Sequence, residues 1–252
     1  MLKQEDNIRG PKMVKFRIFD KHVAKKFLGR YIPKTEFISS ELSRKSDKIG
    51  ERLFKSSKSE ERKIWDDASK LYFTAIKSRR KSLKTLTEFF RNVKLMPGSK
   101  ILFLGSGAGL EEAIIASRFP RTKCTFIDFS EEMHKLAKKI IKKEGLKNVR
   151  LVLGDMEQLP IKERQDFVCA FGLSLQHLLK FPGRITEARG IISNAQHARF
   201  VMGASFLEEE IPKFTDLIKK GGFEIEKIIP CSQIGPGYNI QLIVAKPIQI
   251  RL

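Results

Sequence analysis

Long apolar runs are missing from this sequence. Across 252 residues no stretch approaches the roughly 20 consecutive apolar residues that a membrane-spanning helix needs. The opening MLKQEDNIRG also lacks the apolar centre of a secretory leader, so a cytoplasmic location is expected. Cysteine is scarce: Cys124, Cys169 and Cys231 are odd in number and far apart, which argues against a disulfide framework and against a zinc site. The four histidines, His22, His134, His177 and His197, are equally scattered and show no ligand spacing. No internal repeat is present. Acid is short beside base, 29 residues against 49, which leaves a formal net charge of +20.

That shortage is local. Residues 1–100 hold 27 Lys and Arg against 12 Asp and Glu, whereas the remainder holds 22 against 17. Such asymmetry fits attraction to a polyanion, or else a lysine-rich composition with no particular partner. Lys77, Arg80, Lys81 and Lys84 fall on one stripe of a helix with no acid among them, so they are the candidate contact for RNA or an anionic surface. With 41% apolar and 31% charged residues the chain is of globular composition.

What is present is organised around residues 100–130, KILFLGSGAGLEEAIIASRFPRTKCTFIDFS. Ile101 to Leu104 is a short apolar run stopped by Gly105-Ser106-Gly107-Ala108-Gly109. Leu110 to Phe119 then carries apolar residues at helical spacing, and Thr125 to Ile127 begins a second strand ending in Asp128. Strand, glycine turn, helix and strand in about 30 residues open a nucleotide-binding α/β sheet. The glycines let a ligand approach the backbone, and the helix N-terminus offers free N–H groups to a negative group. Asp128, at the adjacent strand tip, is placed to accept hydrogen bonds from a ribose diol. A dinucleotide fingerprint would need a small residue at position 110, which is Leu110, so the pattern is G-x-G-x-G and NAD is not the expected ligand.

In this the stretch resembles the class I S-adenosylmethionine-dependent methyltransferases. Ile127-Asp128-Phe129-Ser130 is similar to that family's ribose-binding strand end, the run from Gly154 to Pro160 (GDMEQLP) to its adenine-side loop, and Phe167 to Leu178 to its fourth strand and the loop after it. The resemblance implies S-adenosylmethionine as cofactor, held by Gly105, Ser106, Gly107, Gly109, Asp128, Phe129, Asp155, Met156 and Phe171. Phe129 covers the adenine face or else belongs to the core, and Asp155 meets the cofactor or else caps its own turn. The acid that the family usually carries two residues before the first glycine is Phe103 here. Glu111 or Glu112 either replaces it toward the cofactor's amino group or simply complements the helix dipole.

Methyl transfer from a sulfonium needs a nucleophile held in line and a base only when the acceptor carries a proton of high pKa. His177, just after the fourth strand, is the candidate base, and packing is its alternative role. The Asn/Asp-Pro-Pro-aromatic run of adenine and cytosine amino-methyltransferases is replaced by Gly172-Leu173-Ser174-Leu175, and Cys231 is incidental. The implied activity is methyl transfer to a small-molecule or anionic acceptor. The basic flank leaves open an RNA methyltransferase, and Phe103 leaves open a non-catalytic interaction protein of the same fold.

The expected fold is a Rossmann-like, seven-stranded, mostly parallel sheet with helices on both faces, preceded by a basic helical N-terminal extension. The extension spans residues 1–59 and the methyltransferase domain 60–252. Within the extension, Met13 to Ile18 alternates as a short strand, a helix begins near Asp20, and Phe37 to Phe54 is a helical element with a thin apolar stripe. Lys55 to Ser59 reads as a hinge. Glu60 to Lys94 forms one long helix or two shorter ones, and its Trp65-Asp66-Asp67 with Tyr72 is similar to the helix that closes over the cofactor in many small-molecule methyltransferases. Later strands are expected at Val149–Leu153, Asp166–Phe171, Arg199–Met202, Glu224–Ile229 and Tyr238–Ala245, with helices at Glu131–Lys143, Gly183–Ser193 and Leu207–Lys220.

Overall fold

The run from Ile101 to Leu104 has no polar residue on either side of the pleat, and such a strand is stable only between two covering layers. In the computed structural model these four residues are each 2% exposed or less. They form the centre of strand β1 (Lys100–Leu104). The structure describes residues 21–32, 48–49, 51–53, 55–73, 79–180, 182–235 and 238–249. The other strands are β2 (Lys123–Asp128), β3 (Val149–Leu153), β4 (Phe167–Ser174), β5 (Arg199–Leu207), β6 (Phe223–Gly235) and β7 (Tyr238–Pro247). They make one seven-stranded sheet in the order β3-β2-β1-β4-β5-β7-β6. The pairs β1–β2, β1–β4, β2–β3 and β4–β5 are parallel, and β7 runs antiparallel to both β5 and β6.

Alternation along the strands divides the core into two layers. Ile101, Phe103, Phe126, Cys169 and Val201 face one layer. It is completed by helices α1 (Lys21–Gly29), α3 (Arg79–Asn92), α4 (Leu110–Arg118) and α5 (Glu131–Lys143), which contribute Leu28, Phe89, Ile115 and Ile140 among others. Leu102, Leu104, Ile127, Val168 and Met202 face the second layer, covered by α7 (Gly183–Ile191) and α8 (Ile211–Lys220) through Ile185, Phe214 and Ile218. Ala24, Phe27, Leu28 and Ile32, which precede the sheet by about 70 residues, are buried in the first layer. Tyr31 Oη donates to Glu144 Oε1 at 2.6 Å, tying the end of α1 to the end of α5.

Several boundaries differ from those expected. Of the two readings of 60–94 the described residues show two helices, α2 (Lys58–Ala68) and α3, with a 3-10 turn at Ser69–Leu71. The expected hinge at Lys55 to Ser59 instead holds the start of α2, where the Ser57 N–H donates to Glu60 Oε2 at 2.7 Å, half of a capping box. β5, β6 and β7 are longer than their apolar runs. Backbone pairing from Phe200↔Ala245 to Leu207↔Tyr238 carries the ladder past Ser205, Ser232 and Asn239, which break the side-chain alternation. β4 likewise runs on to Ser174 through an irregularity between Phe171 and Leu173. The last helix starts at Ile211 rather than Leu207, after a 3-10 turn at Glu208–Glu210, because Pro212 has no N–H to donate and suits a first helical turn. The strand expected at Met13–Ile18 and most of the element at Phe37–Phe54 lie outside the described residues.

Strand order reverses between β1 and β4, so the crevice of this sheet opens at their C-terminal ends. Gly109 sits there as the N-cap of α4, with φ near 68°. A Cβ at that position would stand 2.9 Å from Phe126 Cδ2. Gly109→Ala is therefore expected to lower the unfolding free energy by about 2 to 4 kcal/mol, the sum of a left-handed penalty and an overpacked ring. Urea denaturation should show the midpoint falling with an unchanged slope.

Candidate active site

The turn after β1 is held to the end of β2 by its own backbone. Gly107 N–H donates to Asp128 Oδ2 at 2.7 Å, Ser130 N–H donates to Asp128 Oδ1 at 2.9 Å, and Ser106 N–H donates to the Ile127 carbonyl at 3.0 Å. One carboxylate thus fixes the glycine turn and the entry to α5, and each oxygen keeps a lone pair for a ligand. Burial pushes the Asp128 carboxyl up and the Ser130 and Gly107 amides oppose it, while the nearby Asp66 carboxylate adds to the rise, for a value of about 6. Gly107 is required by packing as well as by its positive φ, since a Cβ would stand 2.7 Å from Tyr72 Oη. At the head of α4, Gly109 is the N-cap and offers no side chain to the first helical turn.

The loop after β3 adds a second carboxylate. Asp155 Oδ1 accepts the Glu157 N–H at 2.8 Å, the turn-capping bond that was its alternative role, and Oδ2 lies 2.8 Å from Lys58 Nζ. Lys58 also reaches Glu157 Oε2 at 2.7 Å. Glu157 Oε1 accepts from Arg184 Nε at 3.1 Å, and Arg184 Nη2 donates to Glu61 Oε2 at 3.0 Å. The Arg184 and Glu61 side chains are only 5% and 4% exposed. Burial pushes the Asp155 carboxyl up, but its bonds to Lys58 and to the Glu157 amide outweigh this and leave it below the usual range. A buried ion pair yields little net stability because both partners were desolvated, yet losing one partner leaves a charge uncompensated. The network therefore constrains where α2 lies.

Lys58, Glu61, Gly105, Asp128, Phe129, Gly154, Asp155, Met156 and Arg184 line one cleft at the C-terminal ends of β1 and β2. Five of the residues expected at the cofactor site meet there: Gly105, Asp128, Phe129, Asp155 and Met156. Ser106, Gly107 and Gly109 form the adjoining turn. Phe171 lies elsewhere, with its ring 5.7 Å from Phe89 and 6.1 Å from Phe103 in the first core layer. Glu111 turns its carboxylate to α3, where it accepts from Ser82 Oγ at 2.7 Å, and Glu112 is likewise buried. His177 falls in helix α6 (Leu175–Lys180) directly after β4, and its side chain lies outside what the structure describes.

Of the basic stripe, Lys77 and the Arg80 side chain also lie outside the described residues, while Lys81 is half-buried, which lowers its pKa. Lys58, Glu61 and Arg184 were not expected. Lys58 and Glu61 are three apart, and so share a helix face, but their partners are distant in sequence. Burial raises the pKa of all three cysteines, Cys124 and Cys231 to about 11, which leaves them poor nucleophiles. Among the described residues no cluster of metal-ligating side chains occurs, and no helix is long and apolar enough to cross a membrane.

Asp128 and Asp155 present two carboxylates to this cleft, and Phe129 and Met156 lie with them on its wall. Residues 101–191 match the family model described as Methyltransferase domain. The chain is similar to a demethylmenaquinone methyltransferase of Geobacillus stearothermophilus, 29% identical over 138 residues, which are 51% of this chain and 59% of that protein. It is also similar to a malonyl-[acyl-carrier protein] O-methyltransferase of Priestia megaterium, 34% identical over 68 residues, or 27% of this chain and 24% of the relative. The chain thus spans less than two thirds of the length of either relative.

Among solved structures, a SAM-dependent methyltransferase from Aquifex aeolicus matches with a TM-score of 0.54 at 17% identity, over 75% of this chain and 99% of that one. M. jannaschii TYW2 in complex with AdoMet matches with a TM-score of 0.55 at 15% identity, over 69% and 78%. The [4+2]-cyclase SpnF matches with a TM-score of 0.59 at 16% identity, over 69% and 84%. At these identities the structures show a shared fold. Its glycine turn, its acid-tipped second strand and its strand order agree with the family match, so residues 101–191 are similar to the methyltransferase domain family and the chain shares the class I methyltransferase fold.

Proposed function

We propose that this protein transfers the methyl group of S-adenosylmethionine to a small-molecule acceptor. The observation that carries the reading is the convergence of Gly105, Asp128, Phe129, Asp155 and Met156 on one cleft at the reversal point of the sheet. Asp128 would accept from the ribose hydroxyls, Asp155 from the adenine amine, and the α4 N-terminus would meet the carboxylate of the methionine tail. Bound there, the cofactor supplies an electrophilic methyl on a sulfonium, and the chain's part is to hold it and exclude water. His177, on the helix that follows β4, would take the acceptor's proton. The acceptor class is supported by the two curated relatives, which are named for a demethylmenaquinone and for a malonyl group on acyl carrier protein. Because SpnF shares the fold and is a [4+2]-cyclase, transfer itself has to be measured.

Asp128→Ala should weaken binding of S-adenosylhomocysteine by about 1.5 to 3 kcal/mol, the range for hydrogen bonds to a charged group. Calorimetry with unchanged affinity in that variant, or with none in the parent, would remove the reading. Affinity of the parent should be flat above pH 7 and fall as pH drops through about 6, where the Asp128 carboxyl takes up a proton and loses an acceptor. Stability of the unliganded protein responds in the opposite sense. The native carboxyl keeps a proton that the unfolded chain has shed near 3.8, so its contribution declines as pH rises from there to about 6 and is constant beyond.

His177→Ala should leave cofactor affinity within about twofold while lowering kcat on a competent acceptor by roughly a hundredfold, as for a group acting on the acceptor side. Loss of thermal stability with unaltered kcat would mark the histidine as structural.

A further inference from the structure

At the end of the sheet opposite the cleft, where the parallel strands begin, the two halves differ in charge. Under β5, β6 and β7, Arg199 and Lys246 are each matched to an acid: Arg199 Nε donates to Glu226 Oε2, and Lys246 Nζ lies 3.1 Å from Glu224 Oε2. Under β1, β2 and β3 the bases have few such partners. Lys100 opens β1 and Lys123 opens β2, and the two are register partners. Arg150 on β3 pairs with Thr125, two residues beyond Lys123, so all three side chains belong to one face of the sheet. Two loops extend the cluster. Arg121 precedes β2, and its carbonyl accepts the Gly98 N–H at 2.8 Å; Lys147 precedes Asn148, whose carbonyl accepts the Cys124 N–H at 2.9 Å.

The carboxylate within this group is Glu163, 2.7 Å from Lys100 Nζ. Lys100, with Arg150 and Lys123 farther off, holds the Glu163 carboxyl below the usual carboxylate range, so one acid stands among three bases. Arg121, Lys123, Lys147 and Arg150 are exposed and form no contact ion pair among the described residues. Bases in the last turn of a helix complement its dipole, which accounts for Arg91 of α3 and for Lys142 and Lys143 of α5. The four residues above stand on strands and loops, so that account does not reach them. Their mutual repulsion is relieved by an anionic partner.

A protein partner needs aromatic or aliphatic anchors at the centre of its interface, and a bilayer needs an apolar face to insert. Among the described residues no aromatic side chain is strongly exposed, and Met96, in the turn leading into β1, is a single apolar side chain rather than a face. A phosphodiester backbone needs neither: it is bound by charge, and arginine's planar fork fits its oxygens. We propose that the face formed by Arg121, Lys123, Lys147 and Arg150 binds the phosphodiester backbone of a nucleic acid without sequence preference. Lys123 begins β2 and Asp128 ends it, so the face lies about 17 Å from the cleft. Phosphates bound here lie at the far end of the strands, so the contact anchors the protein on a nucleic acid and leaves the cleft to its own acceptor.

The test uses the full chain with oligouridylate and oligothymidylate of about 20 nucleotides, read by fluorescence anisotropy across a salt series. With four phosphates neutralised, at about 0.7 per contact on a single strand, the slope of log affinity against log salt is expected near −3, a loss of roughly fiftyfold between about 50 and 200 mM. Lys123→Gln/Arg150→Gln should make that slope shallower by about 1.4 with an unchanged melting temperature. Arg80→Gln/Lys84→Gln removes the same net charge from α3 and should leave the slope as in the parent. Should the first pair lower the melting temperature, Arg121→Gln/Lys147→Gln, confined to the loops, carries the same expected change. Failure of the parent to bind either oligonucleotide at low salt overturns the proposal, and so does an equal change of slope in the sheet-end and α3 variants, which would assign the binding to net charge alone. Tighter binding to polyglutamate or to vesicles containing phosphatidylserine than to the oligonucleotides also overturns it, in favour of an acidic protein or a lipid surface.

Discussion

The ligand end of this molecule depends on one carboxylate. Asp128 closes β2, and its two oxygens take amide protons from the turn after β1 and from the entry to α5. A parallel sheet by itself leaves its strand ends unconnected, because each strand passes into a separate crossover. The Asp128 bonds join two of those ends at hydrogen-bond distance. The cost is visible in the carboxyl itself, raised to about 6 by burial and by Asp66. Without the two amides the burial of this charge would be harder still to support.

From this join the roles of the surrounding residues follow. The glycine turn needs Gly107 because Tyr72 lies over it, and Tyr72 comes from the segment that continues α2. Asp66 of α2 meets Ser130, the residue whose N–H Asp128 holds. The same few bonds therefore position the turn, the second strand end and the covering helix relative to one another.

Legibility in the sequence followed how local the determining interactions are. β1 was readable because burial on both faces demands an unbroken apolar run, and Asp128 was readable because it falls at a strand end a fixed distance past the glycines. The far ends of β5, β6 and β7 were not, since backbone pairing continues there through Ser205 and Asn239 without help from side-chain pattern. Asp155 showed both of the roles open to it, turn cap and cleft carboxylate. Phe171 stands on β4, the strand that pairs with β1, but turns its ring to Phe89 and Phe103, and alternation along an irregular strand end could not assign it. Lys58 looked like part of a polar hinge. Its partner Glu157 lies 99 residues away, and Glu61 is 123 residues from Arg184, so only the folded chain brings them together.

Phe103 is fully buried, edge-on to Phe126 at 5.3 Å and tilted against Phe171. Its ring fills the space between these two neighbours. A carboxylate placed there would stand desolvated between two aromatic rings with no cation among the three, a penalty that a single substitution cannot avoid. Recognition of a charged tail in this chain is therefore left to groups outside the first strand.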